Sequence, residues 1–525
     1  MTQEPPVNGA RALIRTLVDA GVDTCFANPG TSEMHFVAAL DDVPEMHGVL
    51  ALYEGVATGA ADGYSRIAGR PAAALLHLGP GLGNGLANLH NARRGNVPVV
   101  NIVGDHATYH AQYDAPLQSD IAAIASSLEG WVRESTDASS VASDAAEAVA
   151  AASGNPGKVA TLILPADTCW SEAGGPVGAA ARSAPAAVSQ QSVAEAAEAL
   201  RSSGRAALLV GGTACTQDAL ALAGDICAGT DSSLLAETFP ARLERGAGRV
   251  EPQRLGYLAE FAQAQLDGLE HLVLVEARSP VSFFAYPDKA SDLVPDGCTV
   301  HVLSVPGEDS TAALDALAAE LGVDRGVAPR QVAQRPDRPT GALDAQSMAA
   351  AVGALLPEGA IVADEGNTSG LFVAGATAGA PPHDWLCLPG GAIGFGMPVA
   401  TGAAVAGRDR KVLNLESDGS AMYTFQALWT QVREGLDVTT VILNNSSYAV
   451  LEMELNRVGA SADGKLAREM LDLSGPDLDF VSLARGMGVE QATRATDAGE
   501  FTEQLEAALA SEGPAVVEAV VPPLL

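Results

Sequence analysis

Residues 411–448, KVLNLESDGSAMYTFQALWTQVREGLDVTTVILNNSSY, constrain the chain most. A short apolar run, 412–415, reads as a buried strand. It stops at Ser417-Asp418-Gly419-Ser420. Met422, Phe425, Leu428, Trp429 and Val432 then recur at helical spacing. A second β-rich run, 438–443, ends in Asn444-Asn445. Two strands thus flank one helix, and both end in oxygen-bearing side chains. In a parallel βαβ unit the two ends share one edge of the sheet, where open α/β sheets bind ligands. Asp418 and Asn445 can then face each other across a small gap. One carboxylate, one amide oxygen, a backbone carbonyl and phosphate or water oxygens suit Mg²⁺. Gly419 and Ser420 at the helix start offer an N–H and a hydroxyl to a phosphate. The same residues also fit an ordinary crossover with a DG turn and an NN turn.

A chain of 525 residues should hold roughly three domains. With 47% hydrophobic and 18% charged residues, large cores are expected. The net charge of −34 leaves no basic footprint for nucleic acid. Cys25, Cys169, Cys215, Cys227, Cys298 and Cys387 form no CxxC pair, which fits free thiols in a reducing cytoplasm. The start, MTQEPPVNGARAL, shows no basic-then-apolar leader. No apolar run approaches the ~20 residues of a membrane span, so no membrane partner is expected.

Taken in order, 9–20 reads as an amphipathic helix and 24–27 as a strand. Asn28-Pro29-Gly30-Thr31-Ser32 is a turn that can start a helix with Thr or Ser as its cap. Residues 46–51 lead to Leu52-Tyr53-Glu54-Gly55. The helix 56–64 is built of small residues, as for close packing on another protein surface. Strand 71–77 precedes a glycine-rich loop, 78–84. Strands 98–103 and 159–164 complete the unit. Residues 171–189 and 326–342 read as linkers. Between them, strands 206–210, 272–275 and 299–303 make a second α/β unit. Its Gly211-Gly212 lacks the third glycine of a dinucleotide loop. In the third unit a strand, 360–363, ends at Asp364-Glu365-Gly366-Asn367-Thr368, and the loop 389–398 follows. The expectation is three doubly wound parallel-sheet α/β domains, at 1–175, 190–325 and 343–525.

Ser417-Asp418-Gly419, then 24 residues, then Asn444-Asn445 resembles the thiamine-diphosphate signature, with Ser in place of its first glycine. Nearly the whole chain is similar to the thiamine-diphosphate enzymes of the acetolactate synthase, pyruvate oxidase and benzoylformate decarboxylase group. The resemblance implies that the first domain binds the aminopyrimidine and the third the diphosphate, while the middle one holds FAD or nothing. It sets Glu54 on the cofactor-activating glutamate. Asp418, Asn445 and the Ser447 backbone oxygen fall on the Mg²⁺ ligands. Ile393 matches the apolar residue that props the cofactor into its bent form. Thr368, Ser369, Gly391, Gly419, Ser420, Tyr423 and Tyr448 match the diphosphate and pyrimidine pocket. A carboxyl group hydrogen-bonded to the pyrimidine helps the cofactor ionise, and the cofactor then takes up electrons as a 2-oxo acid loses CO₂. Buried near Leu52 and Val56, Glu54 can carry that proton; it also fits a plain helix-start glutamate.

The substrate is less marked. Asn28-Pro29-Gly30-Thr31 and His77 resemble benzoylformate decarboxylase, with Thr31 for its serine. That enzyme's second histidine, expected near Phe283-Phe284-Ala285-Tyr286, is missing. Gly79-Pro80-Gly81 and the run 114–120, DAPLQSD, resemble acetolactate synthase instead. The middle unit lacks that enzyme's FAD-contacting run, with Glu276-Ala277-Arg278-Ser279-Pro280 in its place, so FAD is not expected. His106 and His110 fit either the pocket or a surface loop. The expected activity is acetolactate-synthase-like decarboxylation and carboligation of 2-oxo acids. The alternatives are a simple 2-oxo acid decarboxylase, a lyase of 2-hydroxyacyl-CoA, and a catalytically silent paralogue. The family implies a dimer or tetramer with sites between chains.

Overall fold

The computed structural model describes residues 7–202, 205–460 and 464–524. Met1 to Pro6, part of the stretch read for a leader, lie outside the described residues. Apolar runs alternate with helices along the whole chain, and this order builds three sheets. The first contains β1 (Thr24–Asn28), β2 (His47–Leu50), β3 (Ala72–Leu76), β4 (Val99–Asp105), β5 (Trp131–Glu134) and β6 (Val159–Pro165), ordered β2-β1-β3-β4-β6-β5. From β7 (Ala206–Val210) and β8 (Ser233–Ala236) the chain passes through β9 (Leu243–Arg245) to β10 (Gln253–Arg254), β11 (His271–Val275) and β12 (Thr299–Ser304). The second sheet runs β10-β8-β7-β11-β12. The third holds β13 (Ile361–Glu365), β14 (His383–Leu386), β15 (Val412–Ser417), β16 (Val438–Asn444), β17 (Gln491–Ala495) and β18 (Ala515–Val520). Its order is β17-β18-β16-β15-β13-β14-β9. β9 therefore leaves the stretch read as the middle unit and pairs antiparallel with β14. That one strand departs from the expected all-parallel sheets. No helix among the described residues is long and apolar enough to cross a membrane.

Three local expectations change. The glycine-rich stretch 78–84 is not a loop but the first turns of the helix Leu78–Arg94. A Cβ on Gly79 would lie 1.9 Å from Ser119 Oγ, so the glycine there serves close packing rather than a turn. The helix expected after Ser420 is split into Asp418–Thr424 and Ala427–Glu434, and at the break Phe425 lies buried against Phe480. Residues Thr31–Glu33 form a 3₁₀ turn with no side-chain cap from Thr31 or Ser32; Glu33 instead accepts the Gly30 N–H at 2.7 Å.

The small-residue helix, Glu54–Ala68, finds its close partner in the same chain, the helix Gly396–Ala406 of the third domain. Glycines make the contact possible. A Cβ on Gly63 would lie 2.1 Å from the Val399 carbonyl oxygen, and one on Gly402 1.8 Å from that of Ala60. Beside the crossing, Asp62 and Arg66 form a fully buried pair at 2.7 Å. Burial pushes the Asp62 carboxyl up and the guanidinium pulls it back. Arg66 also donates to the carbonyls of Cys387 (2.7 Å) and Ala241 (2.9 Å) and lies over the Phe395 ring. Three separate segments thus meet on one arginine.

Gly63→Ala is expected to lower the thermal midpoint, at a cost of ~1–3 kcal/mol from overpacking. Gly375→Ala, with no atom within 4 Å of the added Cβ, should stay within about 0.5 kcal/mol. Equal midpoints for the two variants, measured by calorimetry, would show that the crossing is not locked.

Candidate active site

A doubly wound sheet opens a crevice where its strand order reverses. In the three sheets that point lies between β1 and β3, between β7 and β11, and between β13 and β15.

In the third sheet, Ser417 pairs with Leu443, so Asp418 and Asn445 leave adjacent strand ends on one edge. The Asp418 carboxylate accepts the N–H groups of Gly419 (2.8 Å), Asn445 (3.0 Å) and Ser446 (2.7 Å). The Gly419 N–H, expected to face a phosphate, is thus engaged by Asp418. Burial pushes the Asp418 carboxyl up, and these donors pull it down. Ser446 is held at φ 55°, a left-handed conformation that costs energy for a side-chain-bearing residue. Asn445 Oδ1 accepts the Ser447 N–H at 3.0 Å, and Asn445 Nδ2 donates to Ser369 Oγ at 3.2 Å. Ser417 sits at φ −82°, which any residue adopts, so the glycine of the usual pattern is not required. Its hydroxyl donates to the Glu365 carbonyl at 3.1 Å and lies 2.8 Å from Ser420 Oγ. Asn367 Nδ2 donates to Ser420 Oγ at 3.1 Å, and Thr368 follows in the same loop.

Two tyrosines close over glycines beside this edge. A Cβ on Gly419 would lie 2.4 Å from the Tyr448 ring, and one on Gly394 2.6 Å from Tyr423 Cβ. Ile393 sits half-buried between Gly391 and Gly394, both in the left-handed region. The loop is pinned from beneath by Glu365, which accepts the N–H groups of Gly394 (2.8 Å), Phe395 (2.8 Å) and Gly396 (2.6 Å). Glu416 stands beside it, and both carboxyls are fully buried. Burial pushes Glu365 up to about 7, and burial with the neighbouring Glu365 drives Glu416 well above its usual range. Neither was picked out as functional in the sequence; a glutamate inside the apolar run LNLES was the available signal.

In the first sheet, Glu54 opens its helix and accepts Asn84 Nδ2 at 3.0 Å. Of its expected apolar neighbours, Val56 is buried but Leu52 is exposed. His77, at the end of β3, contacts Glu33 at 2.8 Å, and Thr31 lies exposed on the same turn as Glu33. His106 and His110 have ring centroids 5.3 Å apart, and His106 Nε2 is buried without a hydrogen-bond partner. Asn88 ties the start of the Glu54 helix to the Gly394 loop: its Nδ2 donates to the carbonyls of Gly55 (2.9 Å) and Gly394 (3.2 Å). Asn91 Nδ2 likewise donates to the Ala392 carbonyl at 2.8 Å. Asn88 and Asn91 carried no motif, so their role was not legible in the sequence.

Residues 7–126 match the N-terminal TPP binding domain of thiamine pyrophosphate enzymes, and residues 366–519 match the C-terminal one. A Mycobacterium tuberculosis protein, provisionally named acetolactate synthase large subunit IlvX, is 60% identical over 99% of this chain and 100% of its own length. The chain belongs to the thiamine pyrophosphate enzymes. Within the family it is also similar to benzoylformate decarboxylase of Pseudomonas aeruginosa, 30% identical over 95% of this chain and 96% of that protein. Its fold is that of the thiamine diphosphate-dependent 4-hydroxybenzoylformate decarboxylase of Rhodococcus jostii RHA1. There the TM-score is 0.84 at 24% identity, covering 98% of this chain and 99% of that one.

The donor set fits the cofactor's metal. Among the described residues no three His, Cys, Asp or Glu side chains group to hold an ion. An ion at the Asp418 turn would draw on the Asp418 carboxylate, the Asn445 amide oxygen and a backbone carbonyl, with its other oxygens coming from outside the protein. A diphosphate supplies them, and Mg²⁺ accepts that arrangement.

The Glu365–Glu416 pair sets a sign for the pH dependence of stability. Between about 4.5 and 7 the folded chain keeps a proton that the unfolded chain releases. Stability should therefore fall as pH rises through that window. Glu416→Gln is expected to flatten the fall and to raise the urea midpoint near neutral pH. An unchanged slope in this variant would show that the pair does not hold the proton.

Proposed function

We propose that this thiamine-diphosphate enzyme decarboxylates a 2-oxo acid and joins the remaining fragment to a second 2-oxo acid, as an acetolactate synthase does. The observation that carries this is the end-to-end likeness to IlvX, with Glu54, Asp418 and Asn445 all in place. When bound, thiamine diphosphate supplies the electron sink for CO₂ release. The chain supplies the rest. Asp418, Asn445 Oδ1 and the Ser447 carbonyl hold Mg²⁺, while Ser420, Gly419, Thr368 and Ser369 line the diphosphate. Ile393, steadied by Glu365 and Asn88, shapes the bend, and Gly391, Tyr423 and Tyr448 complete the wall. Glu54, fixed by Asn84, holds a proton at the aminopyrimidine. Simple decarboxylation of the benzoylformate type is the second reading. The Glu33–His77 contact beside Thr31 favours it, because a poised imidazole can protonate the product carbon before an acceptor arrives.

Release of CO₂ from pyruvate with a coupled hydroxy-oxo acid product would support the first reading. CO₂ with aldehyde alone supports the second, and no turnover of any 2-oxo acid in a panel defeats both. Asp418→Ala should abolish Mg²⁺-dependent cofactor binding in calorimetry. Glu54→Gln should bind the cofactor yet turn over at least about a hundredfold more slowly. No FAD is expected in the same preparations. At the middle sheet's crevice Glu276 accepts the Thr213 N–H (3.0 Å) and the Ser310 hydroxyl (3.1 Å), leaving these donors engaged within the chain. Flavin absorption after gel filtration would overturn that.

Self-association with sites shared between chains is the accompanying proposal. Met34, Leu52, Tyr113 and Leu117 are exposed in the first domain, and Leu371, Met422, Tyr423 and Met470 in the third, apolar side chains that a second copy can cover. The competing arrangement, a site closed within one chain, is favoured by Asn88 holding Gly55 and Gly394 together. Mixed Glu54→Gln and Asp418→Ala subunits decide between them. Returned activity in proven heterodimers supports shared sites; none supports closure within the chain.

A further inference from the structure

The face of the third sheet that packs under the helix Gly396–Ala406 carries a polar island inside an apolar core. Parallel register sets Glu365 beside Glu416 in one row, and Asn414 beside Thr440 two residues back on the same face. All four are buried, Asn414 and Thr440 completely. Gln431, also fully buried, joins them from the helix Ala427–Glu434. Its Nε2 donates to the Thr401 hydroxyl (3.0 Å) and the Met397 carbonyl (3.4 Å), and the Met397 N–H faces Glu416. A Cβ on Gly396 would lie 2.5 Å from Glu416 Oε2 and 2.7 Å from Asn414 Oδ1. Four oxygens of this island have no hydrogen-bond partner among the described residues: Glu416 Oε1, Asn414 Oδ1, Gln431 Oε1 and Thr440 Oγ1. Buried polar atoms are nearly always partnered, so four in one place need a cause. The nearby donors are engaged. Asn414 Nδ2 meets Glu416 Oε2 at 3.3 Å, and the N–H groups of Gly394, Phe395 and Gly396 go to Glu365. Three of the four orphans can only accept. A proton on Glu416 can serve one acceptor. A water can serve two, but leaves a buried carboxylate charge without compensation. A cation meets the charge and several acceptors at once. The ligands on offer are all oxygens, which selects a hard ion. Three N–H groups already balance Glu365, so about one charge is left to match.

We propose that a monovalent alkali cation, Na⁺ or K⁺, binds among Glu416, Asn414, Gln431 and Thr440 and stabilises the floor beneath the Ile393 loop. This site is separate from the Asp418 turn and does not depend on which 2-oxo acid is the substrate.

Thermal midpoints of the full chain in KCl, NaCl and choline chloride test it, at equal ionic strength so that screening is the same in all three. The preferred alkali ion should raise the midpoint by about 2 °C or more over choline, and the rise should saturate with concentration. Asn414→Leu keeps the volume and removes an amide oxygen, so it should lose most of that rise. Glu416→Gln should show none. In choline this variant should be the more stable, as the carboxyl pair alone predicts, and in the preferred alkali salt the wild type should gain on it. Equal wild-type midpoints in the three salts, or a full alkali response in both variants, would overturn the proposal. Crystals of the wild type soaked in Tl⁺, a heavy stand-in for K⁺, give a readout that needs no variant to fold. An anomalous peak touching Glu416 and Asn414 supports the site; no peak there overturns it.

Discussion

The closest constraint in the molecule is the crossing of Glu54–Ala68 and Gly396–Ala406. Backbone meets backbone there, because Gly63 and Gly402 have no Cβ to hold the helices apart. Both helices begin at ligand edges. Glu54 is the first residue of one, and the other starts three residues after Ile393. The crossing therefore sets the distance and angle between the two helix starts. Dense cores transmit small displacements, so a shift at Gly63 would be felt at both edges. The buried Asp62–Arg66 pair adds direction to this contact. Removing one partner of a buried pair typically costs 3–5 kcal/mol, since a lone charge is left behind.

The loop that carries Ile393 is the second dependent element. Its backbone takes left-handed turns at Gly391 and Gly394 and would hold poorly alone. Glu365 satisfies three of its N–H groups at once, while Asn88 and Asn91 take up its carbonyls from the first domain. The loop is thus fixed from two domains. Such double anchoring holds the loop's side chains in place, as a preorganised site requires.

Most of the framework was legible because it rests on periodicity. The apolar runs at 206–210, 412–415 and 438–443 became β7, β15 and β16, and strand pairing then set Asp418 beside Asn445. What was missed has physical reasons. β9 is three residues long and belongs to a sheet formed mostly over a hundred residues later, so no local pattern reveals it. The small residues of 56–63 showed that something packs closely, but not that the partner lies in the same chain. Glu33, Glu365 and Glu416 act through burial, and a glutamate's burial is invisible until the fold is known. The middle sheet gave the opposite lesson. Gly211-Gly212 lacks the third glycine of a dinucleotide loop, and the Thr213 N–H next to it is taken up by the chain's own Glu276.

The first and third sheets share one order. Without β9, the third reads β14-β13-β15-β16-β18-β17, matching β2-β1-β3-β4-β6-β5 strand for strand. The crossing helices are equivalent too, one between β2 and β3, the other between β14 and β15. Equivalent positions can therefore be compared. Asp418 follows β15 as His77 follows β3, and Asn445 lies past β16 much as His106 lies past β4. One edge thus offers oxygen atoms on a tight, N–H-rich turn, suited to a metal and a diphosphate. The other offers imidazoles, one of them backed by a buried carboxylate, suited to moving protons. The two domains share a frame and differ in the chemistry at one crevice.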